Sequence, residues 1–415
     1  MSEKKENVPK IRFPGFTDAW EQRELGEVVK VVGGATPSKA NKAYWGGDIV
    51  WLSSQEIKDR YVSAGTYTIT EKAVRETATK VVPAFTPLIV SRSGILARMF
   101  PITLPTVDVA INQDIKALFF DSEILDTDFF VSQLEMKENT ILTSIVKTGT
   151  TVQSVNMPDF EKLIISIPSI QEQQEIGNTF KNLSNLITLH QRKLNNVKSL
   201  KAGLLQKMFP KDGEDFPEVR FPGFTDAWEQ RELGELANFS KGTGYTKGDL
   251  RETGSPIILY GRLYTDYETL IEDVNTFVDL KENSVISLGS EVIVPSSGES
   301  AEDIARASVV GKPGVILGGD LNIIKPVEQI DPVFLALAIS NGKPNRDMVK
   351  RAQGKSVVHL HNSDLKKINL IFPQIEEQRN IVNFHLHFDH LITLHQRKLE
   401  HLQEQKKALL QQMFV

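Results

Sequence analysis

The chain of 415 residues contains no cysteine. That excludes a disulfide framework and any cysteine-ligated zinc site. No apolar run approaches the roughly 18–20 residues of a membrane span. The opening stretch, Met-Ser-Glu-Lys-Lys-Glu-Asn, is charged and has no apolar stretch, so a secretory signal is not expected and a cytoplasmic protein is. A surplus of positive charge is also missing. The net charge of −5 and pI near 6.0 argue against a general polyanion binder, although they leave room for a local basic face.

Several catalytic signatures are absent as well. Gly354-Lys355-Ser356 is only a fragment of a phosphate-binding loop, because Val349 stands where the first glycine is needed. No Asn/Asp-Pro-Pro-aromatic tetrapeptide occurs. Ser91-Arg-Ser-Gly94 lacks the Gly-x-Ser-x-Gly form of a nucleophile elbow. Pro158-Asp159 followed by Glu161-Lys162 misses the Glu-x-Lys spacing of a nuclease metal site, and its echo at Asp364-Leu-Lys-Lys367 has no Glu. The chain therefore reads as non-catalytic, with no cofactor and no metal site of its own.

What the sequence does have is a duplication. Residues 12–27, Arg-Phe-Pro-Gly-Phe-Thr-Asp-Ala-Trp-Glu-Gln-Arg-Glu-Leu-Gly-Glu, recur unchanged at 220–235. Residues 186–194, Leu-Ile-Thr-Leu-His-Gln-Arg-Lys-Leu, recur at 391–399. Weaker echoes lie between, such as Gly149-Thr-Thr-Val152 with Gly354-Lys-Ser-Val357, and Ile89-Val-Ser-Arg-Ser-Gly94 with Ile293-Val-Pro-Ser-Ser-Gly298. A period this long does not suit solenoid repeats of 20–50 residues; it suits two homologous domains. The expected layout is a polar tail (1–11), a repeated block (12–27), a variable domain (28–168) and a helix (169–208). A Pro/Gly/acid-rich linker (209–219), the second block (220–235), a second variable domain (236–373) and a final helix (374–415) follow.

The variable domains read as mixed α/β. Short strands are expected at 49–52, 88–91, 115–120, 285–288, 291–294 and 321–324, and helices at 129–136 and 332–340. Strand order is not readable. The helices that follow are marked more clearly. Ser169-Ile-Gln-Glu172 has the form of a capping box. Mostly apolar residues then step by four and three: Ile176, Phe180, Leu183, Ile187, His190, Leu194, Val197, Lys201, Leu204, Met208. The second copy steps the same way, from Ile381 through His385, Phe388, Ile392, His395, Leu399, Leu402, Lys406 and Leu409 to Met413. A 3.5-residue period held this long marks a coiled-coil seam. The spacing leaves the orientation of the two helices open. His190 and His395 on the seam are read as scaffold residues that set register. Trp20, Trp228, Phe16 and Phe224 in the repeated blocks are read as packing or partner-docking anchors.

Candidate phosphate-contacting residues come from the echoes. Between 343 and 355 stand five basic residues, Lys343, Arg346, Lys350, Arg351 and Lys355, against one acid, which suits either phosphate contact or a solvated helix face. Ser356 follows in the shared loop. The first domain keeps Lys147, Thr150 and Thr151 there. Ser91, Arg92, Ser93 and Arg98, and Ser296, Ser297 and Arg306, are further candidates. Neither variable domain is basic overall: 14 Lys/Arg face 15 Asp/Glu across 28–165, and 15 face 17 across 236–370. Any phosphate-facing charge must therefore be local.

These residues together resemble the specificity subunit of type I restriction-modification systems. The resemblance rests on an ordered set: the Arg-Phe-Pro-Gly-Phe…Trp-Glu…Leu-Gly-Glu block opening each half, Gly34-Ala-Thr-Pro-Ser-Lys39 with residues 44–51, and Gly242–Gly248 with Ile258-Leu-Tyr-Gly-Arg262. The Pro-x-Ile-x-Glu-Gln segments at 168–173 and 373–378 and the Leu-Leu-Gln-x-Met-Phe ends at 204–209 and 409–414 complete it. It covers essentially the whole chain. The resemblance implies an α+β fold with two target recognition domains joined by two long antiparallel coiled-coil helices in a pseudo-twofold arrangement. Each domain would read one half of a split, asymmetric site on double-stranded DNA. The shared regions would dock two modification subunits, which bind S-adenosylmethionine and methylate adenine, and restriction subunits that use ATP and Mg. An adaptor that binds protein partners only would share the helices but leave two divergent domains without a task.

Overall fold

The computed structural model describes residues 7–149, 152–354 and 357–415. The chain divides into two compact units, Met1–Arg192 with Gln396–Val415, and Lys193–His395. Among the described residues no helix is long and apolar enough to cross a membrane.

Among the described residues, unit one holds two larger sheets and two strand pairs, Glu21–Glu24 with Ile164–Ile167 and Val146–Lys147 with Ser154–Val155. The first runs in spatial order Lys30–Gly33, Ile115–Phe119, Leu88–Val90, Ile102–Pro105 and Tyr61–Val62. Its pairings are antiparallel except the last, which is parallel. The second runs Tyr67–Ile69, Trp45–Leu52, Val109–Ile111 and Val81–Val82, with a parallel pair in the middle. Leu88, Ile89 and Val90 are all buried, which is why that strand reads as an unbroken apolar run rather than an alternating one. Helix Thr127–Met136 is capped by Asp126, whose carboxylate accepts from the Phe129 amide at 2.9 Å. It buries Phe129, Phe130 and Leu134.

Unit two repeats this plan with one additional strand. Its first sheet runs Ala237–Lys241, Leu321–Pro326, Val292–Pro295, Ser308–Val310 and Leu270–Ile271, again with only the last pairing parallel. Its second has Phe277–Val278, Ser255–Ile258, Pro313–Leu317 and Ile286–Leu288 in the same relative order, and adds Leu250–Arg251 at one edge. Asp331 caps helix Pro332–Asn341 as Asp126 caps its counterpart. The duplication thus extends through the stretches whose sequences have diverged. Each of the six expected strands and both expected helices overlaps an observed element of its type.

The two long helices are Ile170–Lys207 and Ile375–Met413, the first about 57 Å long at ~1.5 Å per residue. Every seam residue read from the sequence is buried or half-buried in both. Within unit two, Lys201 of the central helix pairs with Asp389 of the C-terminal helix, while Leu205 and Met208 share a core with Ile381 and Val382. The two segments therefore run antiparallel there. The expected capping box is only half present. Ser169 Oγ accepts from the Glu172 amide at 3.4 Å, but the Glu172 carboxylate goes to Arg12 instead of reaching back to the cap. An ion pair to a guanidinium outweighs a hydrogen bond to an amide.

Both units close on a helix tail. In unit one the Phe414 ring lies 5.3 Å from Phe129, 6.1 Å from Trp20 and 5.7 Å from Phe180. The Ile11 amide donates to Gln412 O at 3.0 Å. In unit two Phe209 lies 5.8 Å from Phe334 and 6.2 Å from Trp228, and the Val219 amide donates to Lys207 O at 3.0 Å. The Met-Phe of each repeated Leu-Leu-Gln-x-Met-Phe end is buried, and Met413 and Phe414 complete the core of the first repeat.

Candidate nucleic-acid interface

Two segments selected separately from the sequence meet in each unit. In unit one the strand Leu88–Val90 ends at Ser91, whose amide and hydroxyl both donate to Asp114 O, at 2.7 and 2.9 Å. The next residues run beside the far arm of a small hairpin formed by Val146–Lys147 and Ser154–Val155. Arg92 bridges to Ser154, the Ser93 amide donates to Gln153 O at 3.1 Å, and the Val155 amide donates to Ser91 O at 2.9 Å. The Gly149 turn is therefore tied to the 91–93 segment. A Cβ at Gly149 would stand 2.3 Å from Val152 O, so a side chain there must displace backbone.

Unit two builds the same junction. Ser297–Gly298 pairs with Val358–His359, the Leu360 amide donates to Ser296 O at 3.0 Å, and the Ser296 amide donates to Asp320 O at 2.8 Å. Gln353 and His359 exchange two backbone hydrogen bonds at 3.1 and 2.8 Å. Gly354 closes the turn at φ +136°, with a hypothetical Cβ 1.9 Å from Val357 O. Only glycine fits there. Tyr264 donates its hydroxyl hydrogen to Ser297 O at 2.7 Å, and burial pushes that phenol above its usual pKa range.

The candidates divide by where their side chains point. Ser91 and Ser296 are buried. The Ser91 hydroxyl is used at Asp114 O, and the Ser296 hydroxyl is 3.5 Å from the Asp320 carboxylate. Ser297 is also buried, and Ser93 caps the short turn Gly94–Ala97. These four shape the junction. Arg92 and Arg98 are exposed and form no ion pair among the described residues. Lys147 lies 3.5 Å from Asp159 and donates to Ser144 O at 3.2 Å. Helix Lys343–Arg351 leads directly into the Gln353–Gly354 turn. On it Arg346 is engaged by Asp212 at 2.7 Å, and this hydrogen bond holds the Asp212 carboxyl below its usual range. Arg351 donates to Lys367 O at 3.3 Å, and Lys350 is exposed. Arg306 is half-buried over the Tyr267 ring at 5.8 Å. Thr150, Thr151, Lys355 and Ser356 lie outside the described residues.

The scaffold candidates sit in packing positions. Trp20 and Trp228 are buried, and Phe16, Phe224, His190 and His395 are half-buried. Sequence reasoning missed the polar groups that hold the helices to the domains. Arg12 binds Glu172 through two hydrogen bonds, and Arg220 binds Glu377 likewise. The Gln173 side chain accepts from the Asp126 amide and donates to Ile124 O and Pro168 O. Gln378 does the same with Asp331, Gln329 O and Pro373 O. The repetition of Glu-Gln at both helix starts was the signal. Buried Arg60, bound to Asp128 and Glu135 at 3.0 Å each, left no such signal, because neither it nor its partners belong to a repeated motif. His359 and His361, exposed beside the second junction, were missed too; the alternation around Leu360 could have marked them.

The exposed part of the repeated block is also identical in both copies. Pro14, Asp18, Glu21, Gln22 and Glu27 are exposed, and so are Pro222, Asp226, Glu229, Gln230 and Glu235. Packing does not require identity at exposed positions.

A profile of the type I restriction modification DNA specificity domain matches the chain twice, over residues 17–199 and 225–404. The specificity subunit of the Escherichia coli type I enzyme EcoR124I/EcoR124II is 36% identical over 172 residues, which is 40% of this chain and 42% of that protein. The chain thus spans less than half the length of that relative in the match. The MjaVIII specificity subunit of Methanocaldococcus jannaschii is 21% identical over 418 residues, covering 98% of this chain and 95% of that one. Among solved structures, a type I restriction-modification S subunit from M. genitalium superposes with a TM-score of 0.58 at 17% identity, over 98% of this chain and 99% of that one. A chain from a type I R-M system, studied for complex assembly and conformational transition, gives 0.51 at 16% identity over 98% and 99%. Both share the fold of the whole chain. With two matched domains, two repeated α/β units and two long helices, the chain belongs to the type I restriction-modification DNA specificity family, as a non-catalytic specificity subunit.

Proposed function

We propose that the chain reads a bipartite DNA target, one half with each unit, and carries modification subunits to it. The observation that supports this most is the pair of equivalent junctions. Each is a hydrogen-bonded strand crossing beside a glycine whose Cβ position is blocked by backbone, and each presents a different set of exposed donors. Unit one offers Arg92 and Arg98; unit two offers Lys350, Arg351 and an imidazole pair. Equivalent placement with differing side chains suits two unlike half-sites, so the target is asymmetric. Arg and Lys contacts to phosphate position the duplex, and base-edge contacts carry the sequence.

The identical exposed residues of the repeated blocks favour one kind of partner docking twice. In this reading two modification subunits bind there and methylate adenine, with restriction subunits joining for cleavage. S-adenosylmethionine, ATP and Mg belong to those partners, and the chain itself needs no cofactor. The complex works in the cytoplasm.

Selection from a pool of random duplexes tests this, using the full chain purified with type I modification subunits of its host. The expected winner has two unlike short half-sites separated by a constant spacer without sequence preference. No enrichment, or a perfect palindrome, overturns the reading.

A further inference from the structure

Unit two carries two exposed imidazoles, His359, which no side-chain hydrogen bond engages among the described residues, and His361, which also joins the capping box of helix Asn362–Leu365. His359 ends the strand Val358–His359, Leu360 is buried, and His361 is exposed again. Alternation along an extended segment puts both His on one side. Their rings are parallel to within 4°, with centroids 6.4 Å apart. The backbone beneath them is fixed by the paired hydrogen bonds to Gln353, the Leu360 amide on Ser296 O and the Asn322 side chain on Leu360 O at 2.9 Å. The His361 amide donates to the Asp364 carboxylate at 3.2 Å. Neither ring makes an ion pair or a hydrogen bond to another side chain among the described residues.

Comparison of the two units isolates the feature. Val155 and Leu360 make the same backbone bond to the preceding serine strand, so Ser154 stands where His359 does and Asn156 where His361 does. Both 156 and 361 precede a short helix, Met157–Glu161 and Asn362–Leu365. Asn156 makes no side-chain cap hydrogen bond, whereas His361 and Asp364 form a capping box; capping thus accounts for part of the role of His361 and for none of His359, whose ring lies before the cap. The junction can be built without either ring, as unit one demonstrates.

We propose that His359 and His361 read base edges in the half-site of unit two. This rests on the DNA-recognition reading above. A neutral imidazole offers one N–H donor and one lone pair, which match the purine N7 and O6 acceptors and the amino donors of the major groove. Two rings 6.4 Å apart span about two base steps of ~3.4 Å. The positions they govern therefore fall within three consecutive base pairs.

The duplex selection is repeated with the full chain and modification subunits, using wild type, the double variant His359→Ser/His361→Asn, which installs the residues of unit one, and the single variant His359→Gln. In the double variant, discrimination falls roughly tenfold or more at one or two positions inside a three-base-pair window of one half-site. The other half-site and the spacer do not change. His359→Gln shifts the preferred base at one position of that window, and it carries the test if the double variant does not fold. An unchanged motif in variants that melt with wild type overturns the proposal. So does equal weakening of both half-sites, which marks an assembly role. If wild type enriches no motif, the recognition reading itself falls, and the imidazole assignment with it.

Discussion

Arg12 and Glu172, 160 positions apart, are joined by two hydrogen bonds of 2.6 and 2.8 Å, with the carboxylate buried to 1% exposure. Arg220 and Glu377 repeat the pair at 2.7 and 2.8 Å. The hydrogen bond to Glu172 raises the Arg12 pKa further above its usual value. It explains why the repeated block opens with arginine and why both helices begin with Glu-Gln. The start of each repeat is fastened to the first turn of its own helix.

Removing one partner leaves a buried carboxylate without a counter-charge, which costs about 3–5 kcal/mol. Arg12→Ala should destabilise unit one by about that much and leave unit two near wild type. Arg220→Ala should do the converse. Native-state hydrogen exchange followed by mass spectrometry separates the two, because protection is read segment by segment. Loss of protection in both units from one substitution contradicts the assignment.

The helix tails make a less intuitive prediction. Phe414 is one residue from the C-terminus, yet it packs on Trp20 and Phe129. Phe414→Ala should cost about 3–5 kcal/mol by the cavity it leaves, and the loss should fall on the first repeat. Phe209→Ala should fall on the second. Thermal melts of each variant, with exchange protection in Trp20 and Trp228 peptides, read the outcome.

Gly354 tests the junction. Its φ of +136° and a 1.9 Å approach to Val357 O leave no space for a methyl group. Gly354→Ala should distort the turn and weaken DNA binding by about tenfold, an effect of ~1.4 kcal/mol. A Cβ at Gly203, in the central helix, meets nothing within 4 Å. Gly203→Ala should leave binding unchanged and add up to about 1 kcal/mol of stability. Equal effects from the two substitutions refute the argument.

Asp389 gives a pH dependence. Burial opposes its charge, but hydrogen bonds to His385, at 3.0 Å, and to Lys201 more than offset this and hold its pKa below the usual value. A carboxyl with a lower pKa in the folded state stabilises the fold fully above its unfolded pKa of about 4. That contribution drains as pH falls below 4. Since Asp389 is part-exposed, Asp389→Asn should cost only about 1 kcal/mol at pH 7. The gap to wild type should narrow as pH falls below about 4. Urea denaturation at pH 7, 4 and 3 checks the trend, and a gap that widens toward low pH contradicts it.

How legible this was in the sequence depended on the range of the interaction. The duplication and the long helices were plain, because identity and a 3.5-residue period are local signals; Ile176 through Met208 all face inward as spaced. Sheet order was not, because strands of two to five residues such as Tyr61–Val62 pair with partners forty positions away and carry no period of their own. The site was half legible. The segments around Arg92 and Gly149 were each marked by their echo in the other repeat, but only the fold brings Arg92 against Ser154. The inward turn of Ser91 and Ser296 was invisible, since a serine reads alike whether it faces solvent or a carbonyl. Likewise, a seam period shows that Met413 is buried, but not that it is buried in the first repeat.

The measurement closest to the central claim is a methylome of the host by single-molecule sequencing, with the gene for this chain intact and deleted. Deletion should abolish one asymmetric, split adenine motif and leave all other methylation in place. A methylome unchanged by deletion, in a host that expresses the chain and its modification subunit, would contradict the claim that this chain sets where the complex acts.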